Sequence, residues 1–332
     1  MSKRKKGKGR TPRAGHRHTS RPHGARRAKE APDQGPPMGF DRLEMEQQMA
    51  ELGKLMAEQD FEDINEANDF LRDLLAETGG QIPHREAETP QEKARELISQ
   101  AVSAPERKAR KLVKDALELD PDCVDAYVLR GEMAASLPET IAEFRRAVAA
   151  GERSLGAEVF EEDRGVFWGL IETRPYMRAM QNLAMSLWSY GEAEEAIRIY
   201  QEMLELNPND NQGVRHLLLN ALLLLRRHDE AAELLERFDD GMAHWCYNKA
   251  LLLFRLEGRS DSAIEALKIA LDRNEHVPEY LLGIEPMPEL DDTPGMVLFG
   301  SESEAQAYVF EALPLWISTP GAHYWLQENM GF

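Results

Sequence analysis

Residues 164 to 181, RGVFWGLIETRPYMRAMQ, crowd two large aromatics, a glutamate, three arginines and a tyrosine into one short stretch. Trp168, Glu172, Arg174, Tyr176 and Arg178 all fall within this stretch, which is largely free of turns. Glutamate and tyrosine can move protons, and arginine grips carboxylates. The same set also suits a join between two packed helices. A second cluster, AHWCYNKA at residues 243 to 250, places His244 and Cys246 on either side of Trp245. A thiol near an imidazole is the minimum of a nucleophilic site. Cysteine on the helix of a repeat packs as a small hydrophobe, and packing is the reading adopted. His16, His18 and His23 are too loosely spaced for a defined metal site. Phosphate loops, HExxH, GxSxG and paired metal-ligand spacings do not occur in the sequence. No catalytic, cofactor-binding or metal-binding residue is therefore assigned, and the chain reads as a non-enzyme.

Charge and apolar pattern bound what can position these residues. Of 332 residues, 42% are hydrophobic, enough for a sizeable core. Residues 1 to 29 carry 12 Lys and Arg and no acid, leaving 28 bases against 59 acids beyond them. A basic arm thus precedes an acidic body. The arm, to residue 38, has too little apolar surface to offset its ordering entropy and is expected to be disordered. Cys123 and Cys246 stand far apart, so neither a disulfide framework nor a structural zinc site is expected, and a reducing compartment suits them. The longest apolar run, LLLNALLLL at 217 to 225, is too short to span a bilayer. The expectation is a soluble, cytoplasmic protein without a membrane partner.

Helical spacing dominates the rest. Met45, Met49, Leu52 and Met56 form one stripe of an amphipathic helix, and FEDINEANDFLRDLLAETGG forms a second that stops at Gly79 and Gly80. These make an N-terminal pair over 39–80, followed by a linker over 81–91. From 92 to 282 a spacing recurs. Gly191, Ala196, Tyr200, Met203, Leu204 and Pro208 are matched by Gly258, Ala263, Leu267, Ala270 and Leu271. Ala109, Val113, Ala116, Leu117 and Pro121 follow the same spacing, as do Ala231, Leu235 and Phe238. In that last unit Arg226 stands where a glycine is expected. The alanines at 196, 231 and 263 recur at the interval of a tetratricopeptide repeat (TPR). The fold class expected is all-α: a TPR-like right-handed helical solenoid over 92–282, with cap helices over 283–332 and the disordered basic tail at the front. A capping box, Ser301 with Glu304, is expected to open the cap.

Three stretches carry a more specific likeness. ALELDPDCVDAYVLRGEMAASLPETIAEFRRAVAAGERSL, NEHVPEYLLG and GSESEAQAYVFEALPLW with its following GAHYWL resemble the suppression of tumorigenicity 7 protein family. The likeness runs in register over roughly residues 105 to 330. It implies an all-helical repeat domain with this same C-terminal cap, and it supplies no catalytic residues. No counterpart of the family's N-terminal membrane segments is expected in the basic arm and helical pair, and GVFWGLIETRPYMRA departs from the family's more basic sequence. Soluble relatives of bacterial type are the better comparison.

First helices of a TPR solenoid line its concave groove, and residues three or four apart share a face. The groove candidates are Arg178, Gln181 and Asn182, then Arg215, His216 and Asn220, then Trp245, Asn248 and Lys249. Such a row of donors holds a peptide backbone or a carboxylate. The function expected is a non-enzymatic scaffold binding a peptide or a partner's helix there. The alternative is a nucleic-acid- or ribosome-associated factor, with residues 1–29 binding phosphates non-specifically. Within the opening stretch, Pro175 suits the first turn of a helix. Val166, Phe167, Trp168 and Leu170 are expected to pack over the preceding helices, with Arg178 facing the groove.

Overall fold

The computed structural model describes residues 42–82, 86–238, 240–287 and 297–330. The basic arm and its three histidines lie outside the described residues. Among the described residues the regular structure is helical, with no strand. Paired helices form the centre of the chain. These are α3 (Pro90–Val102) with α4 (Glu106–Leu119), α5 (Val124–Glu132) with α6 (Leu137–Glu162), and α7 (Arg174–Tyr190) with α8 (Ala193–Leu206). Then come α9 (Val214–Leu224) with α10 (His228–Arg237) and α11 (Ala243–Glu257) with α12 (Asp261–Arg273). Two helices precede them, α1 (Arg42–Ala57) and α2 (Ile64–Glu77). Three follow: α13 (Val277–Leu281), α14 (Glu302–Ile317) and α15 (Ala322–Asn329).

The repeated small residues let the helices of a pair approach. Ala109, Ala196, Ala231 and Ala263 are all buried, as are the bulky partners Val113, Tyr200, Leu235 and Leu267. First helices touch in series, α3 to α5 to α7 and α9 to α11, and so share one face, called here the inner face. The core has two parts. A small cluster built on Ala94, Ile98, Val113 and Ala126 serves α3, α4 and the start of α5. A larger one runs from α5 to α15.

Helix ends follow local chemistry. Thr89 and Glu92 complete a reciprocal capping box at α3, with Pro90 at its start. Gly191 ends α7 at φ 96°, a left-handed conformation that costs glycine nothing. Arg226 takes the equivalent position in its repeat at φ 57°, despite its side chain.

The stretch at 164–181 is a joint. Phe167, Trp168 and Gly169 form a short 3-10 turn, and Phe167 is fully buried. Tyr176 packs against Phe160 and Phe167, with ring centroids 5.2 and 6.3 Å away. Its ring lies against Gly151, where a Cβ would come within 2.6 Å of Tyr176 Cδ2. Thr173 donates to the Leu170 carbonyl at 2.9 Å, and Arg174 Nε donates to the Trp168 carbonyl at 3.0 Å. Val166 is exposed rather than packed, because it sits on the outside of the turn that buries Phe167.

Two expectations are corrected. The methionine stripe seats α1 only in part: Met45 and Met49 are exposed, Leu52 and Met56 are half-buried, and among the described side chains of α1 the fully buried one is Glu46. The Ser301–Glu304 box does not form either. Ser301 caps no backbone N–H, and Glu304 turns inward instead. It accepts from Ala243 N at 2.9 Å, from Asn274 Nδ2 at 3.0 Å and from Gly300 N at 2.7 Å. A buried carboxylate gains more from three donors than from one cap.

Candidate functional site

The inner face carries two patches of polar side chains, and each holds a helix of the chain itself. At the first patch Asp125, in the first turn of α5, faces Arg178 on α7. Arg178 donates to Asp125 Oδ1 and Oδ2 at 3.0 and 3.1 Å. Its other nitrogen donates to Glu46 of α1 at 2.6 Å. Arg174, one turn earlier, comes within 3.8 Å of the same carboxylate and lies over the Trp168 ring at 5.5 Å. All four charged side chains are largely shielded, Glu46 at 8% exposure and Arg178 at 11%. Burial opposes the Arg178 charge, but the carboxylates of Asp125 and Glu46 outweigh it and raise its pKa. Lys54 of α1 pairs with Glu92 of α3. A cavity of about 460 Å³ lies beneath α1, with Ile98, Cys123, Ile171 and Pro175 in its lining.

Between the patches Gln181 accepts from Gln212 Nε2 at 2.8 Å, Asn182 is half-buried and Met185 is exposed.

The second patch is built around Asp240, Asn248 and Arg255. Arg215 reaches Asp240 at 2.6 Å and Asp210 at 2.8 Å. Asp210 itself caps α9 through Val214 N at 2.7 Å. His216 Nε2 lies 2.9 Å from Asp240, and its ring stacks on His244 at 4.5 Å. Burial alone would raise the Asp240 pKa; hydrogen bonds from His216, Met242 N and Arg215 instead hold it well below the usual carboxylate range. Asn248 is fully buried, donates to Asn220 Oδ1 at 3.0 Å and accepts from Tyr308 of α14 at 3.1 Å. Trp316 Nε1 then donates to the Tyr308 hydroxyl at 2.7 Å. Arg255 binds the Leu223 carbonyl at 2.6 Å, the Leu315 carbonyl at 2.9 Å and Thr319 Oγ1 at 2.8 Å. The cap helix α14 is thus fastened across α9 and α11.

Each sequence-predicted position has a definite place. Arg178 stands at the first patch; Arg215, His216, Asn220 and Asn248 stand at the second. Trp245 is buried and donates to the Phe238 carbonyl at 3.1 Å, while Lys249 is exposed. Cys246 is half-buried against the core, and burial raises its thiol pKa, which suits packing and not nucleophilic attack. Glu46, Asp125, Asp240, Arg255, Glu304 and Tyr308 were not singled out by sequence. Asp125 carried a weak signal, as the acidic residue in the first turn of a first helix. The others each have a deciding partner 25 or more positions away, which local spacing does not encode.

Among the described residues no helix is long and apolar enough to cross a membrane, and no cluster of His, Cys, Asp and Glu is arranged to hold a metal ion.

Comparison with known proteins reaches most of this architecture. The chain is 30% identical over 237 residues to suppressor of tumorigenicity 7 protein-like from Bos taurus, covering 64% of this chain and 42% of the relative. It is equally identical over 236 residues to the Homo sapiens protein, covering 64% and 40%. The match therefore spans about two fifths of these relatives. Among solved structures, YrrB, "a TPR protein with an unusual peptide-binding site", aligns with 53% of this chain and 81% of its own at 22% identity and a TM-score of 0.38. A family model described as ST7 protein matches residues 81–328, from the lead-in of α3 to the last turn of α15. The chain belongs to the ST7 protein family.

Proposed function

We propose that this chain is a protein-interaction scaffold that holds a helical segment of a partner on the inner face of its repeats. One observation carries the reading: that face already grips two helices, α1 through Arg178 and α14 through Asn248 and Arg255. Side chains reaching up from the first helices suit the seating of a helix in a groove. Met185 and Asn182, between the two patches, share the Arg178 side of α7 and are the proposed contact points. Beyond residue 29 the chain carries 28 bases against 59 acids, a poor surface for phosphates, and this favours a protein partner.

A photo-crosslinker placed at Met185, 46% exposed on α7, tests this. The control position is Ile269, 48% exposed on the second helix α12. Crosslinks from Met185 to one partner segment, absent from Ile269, are expected. Equal labelling from both positions refutes the reading.

A further inference from the structure

The first helix, α1, is seated in an unusual way. Its methionines at 45 and 49 are left exposed, while its glutamate at 46 is buried against two arginines. Helices that belong to a core reverse this, burying the apolar stripe and solvating the charges. Beneath α1 lies the cavity of about 460 Å³, where a packed interface leaves few voids. Leu43 adds an apolar contact to the smaller core cluster, and the Lys54–Glu92 pair lies nearer the surface. Leu52, Leu55 and Met56 are only half-buried, so the most deeply seated group of α1 is a carboxylate in an arginine fork.

We propose that α1 is a displaceable occupant of the inner face, and that the partner displacing it is an amphipathic helix that places a carboxylate between Arg174 and Arg178. The proposal rests on the scaffold reading above and names the ligand class for it. When α1 leaves, Glu46 regains full hydration, and Arg178 keeps Asp125 at 3.0 Å. Neither charge is stranded, which keeps the undocking cost below that of breaking an isolated buried pair. The opened fork then holds Arg174 and Arg178 against Asp125 alone, while Glu86, Glu88 and Glu92 beside Arg95 keep the rest of the groove acidic. An incoming carboxylate restores the balance at the fork. The resident helix competes from its own chain, at the effective concentration set by the connection through residues 58–89 and α2.

The test uses the full chain and a fluorescent synthetic peptide of residues 42–57 as probe. The variant is Glu46→Gln, which removes the resident's charge at constant shape and lies outside the helix pairs of the repeats. Anisotropy should show the variant binding the peptide at least tenfold more tightly than the unmodified chain. The same peptide carrying Glu46→Gln should lose at least tenfold on the variant chain. Hydrogen exchange at residues 42–57 of the unmodified chain should speed up as excess peptide is added. Equal affinity of the two chains, with the peptide's glutamate still required, refutes the resident role and leaves the scaffold reading standing. Binding indifferent to the peptide's glutamate refutes recognition by the arginine fork. No saturable binding by the variant chain overturns the displacement proposal, and the Met185 crosslinks then decide the scaffold reading separately.

Discussion

Removing the Glu304 carboxylate should loosen the C-terminal cap far more than a helix-capping residue would. Its side chain is 3% exposed and accepts from Ala243 N, Asn274 Nδ2 and Gly300 N at 2.7 to 3.0 Å. A hydrogen bond to a charged group contributes about 1.5–3 kcal/mol, and stranding a buried donor costs about 1–3 kcal/mol. These contributions overlap and do not add fully. Glu304→Ala should therefore cost about 3–5 kcal/mol, against about 1 kcal/mol for loss of a simple cap. Ser301→Ala is the control, because its hydroxyl caps no backbone N–H and donates to the Leu298 carbonyl at 2.5 Å; its cost should stay at about 1 kcal/mol. Urea unfolding followed by tryptophan fluorescence gives the totals, with Trp316 and Trp325 buried in the cap itself. Hydrogen exchange locates the loss, since neighbouring units of a solenoid open separately. Protection should fall first in α14 and in the first turn of α11, where Ala243 loses its acceptor. A Glu304→Ala cost below about 1.5 kcal/mol, or a Ser301→Ala cost that equals it, refutes the bridging role.

Two further outcomes follow from named strains. Arg226 holds φ 57° in a left-handed conformation, and its guanidinium gains only a 3.5 Å contact with the Ser318 carbonyl. Arg226→Gly should raise stability by about 0.5–1 kcal/mol, read as a higher melting temperature; a lower one contradicts the strain. His244 is buried, its Nε2 has no hydrogen-bond partner, and burial pushes its pKa well below the usual range. The unfolded chain then binds the extra proton, so stability is full above about pH 6.5 and declines below it by up to ~1.4 kcal/mol per pH unit. His228, also lowered by burial, adds a smaller part of the same sign. Unfolding free energies from pH 7.5 to 5.5 should show this slope, and His244→Asn should flatten it whatever its baseline. An unchanged slope in the variant refutes the assignment.

The cluster at 164–181 shows how far local patterns carry. Pro175 in the first turn of α7 and Gly191 at its end are chemistry within the helix itself, so the joint and the repeat around it were readable. The buried alanines at 109, 196, 231 and 263 are likewise periodic, because a helix pair repeats the same close approach each time. Glu46 was hidden for the opposite reason. Its neighbours at 45 and 49 drew the apolar stripe, and only the facing arginines, 128 and 132 positions away, give burial of a carboxylate a favourable outcome. Ser301 and Glu304 have the right local spacing for a capping box, yet Ala243 and Asn274 offer the carboxylate better donors.

By itself the sequence determined the helices, their pairing and the repeat, since these rest on contacts within a few dozen residues, and the family, through a likeness that runs in register along most of the chain. The tertiary structure alone decided what sits on the inner face. Arg178, Asn220 and Asn248 lie on that face by helical phase, but their partners arrive from α1, α5, α11 and α14. Phase sets which way a side chain points, and only the packed chain sets which charge or amide it meets there.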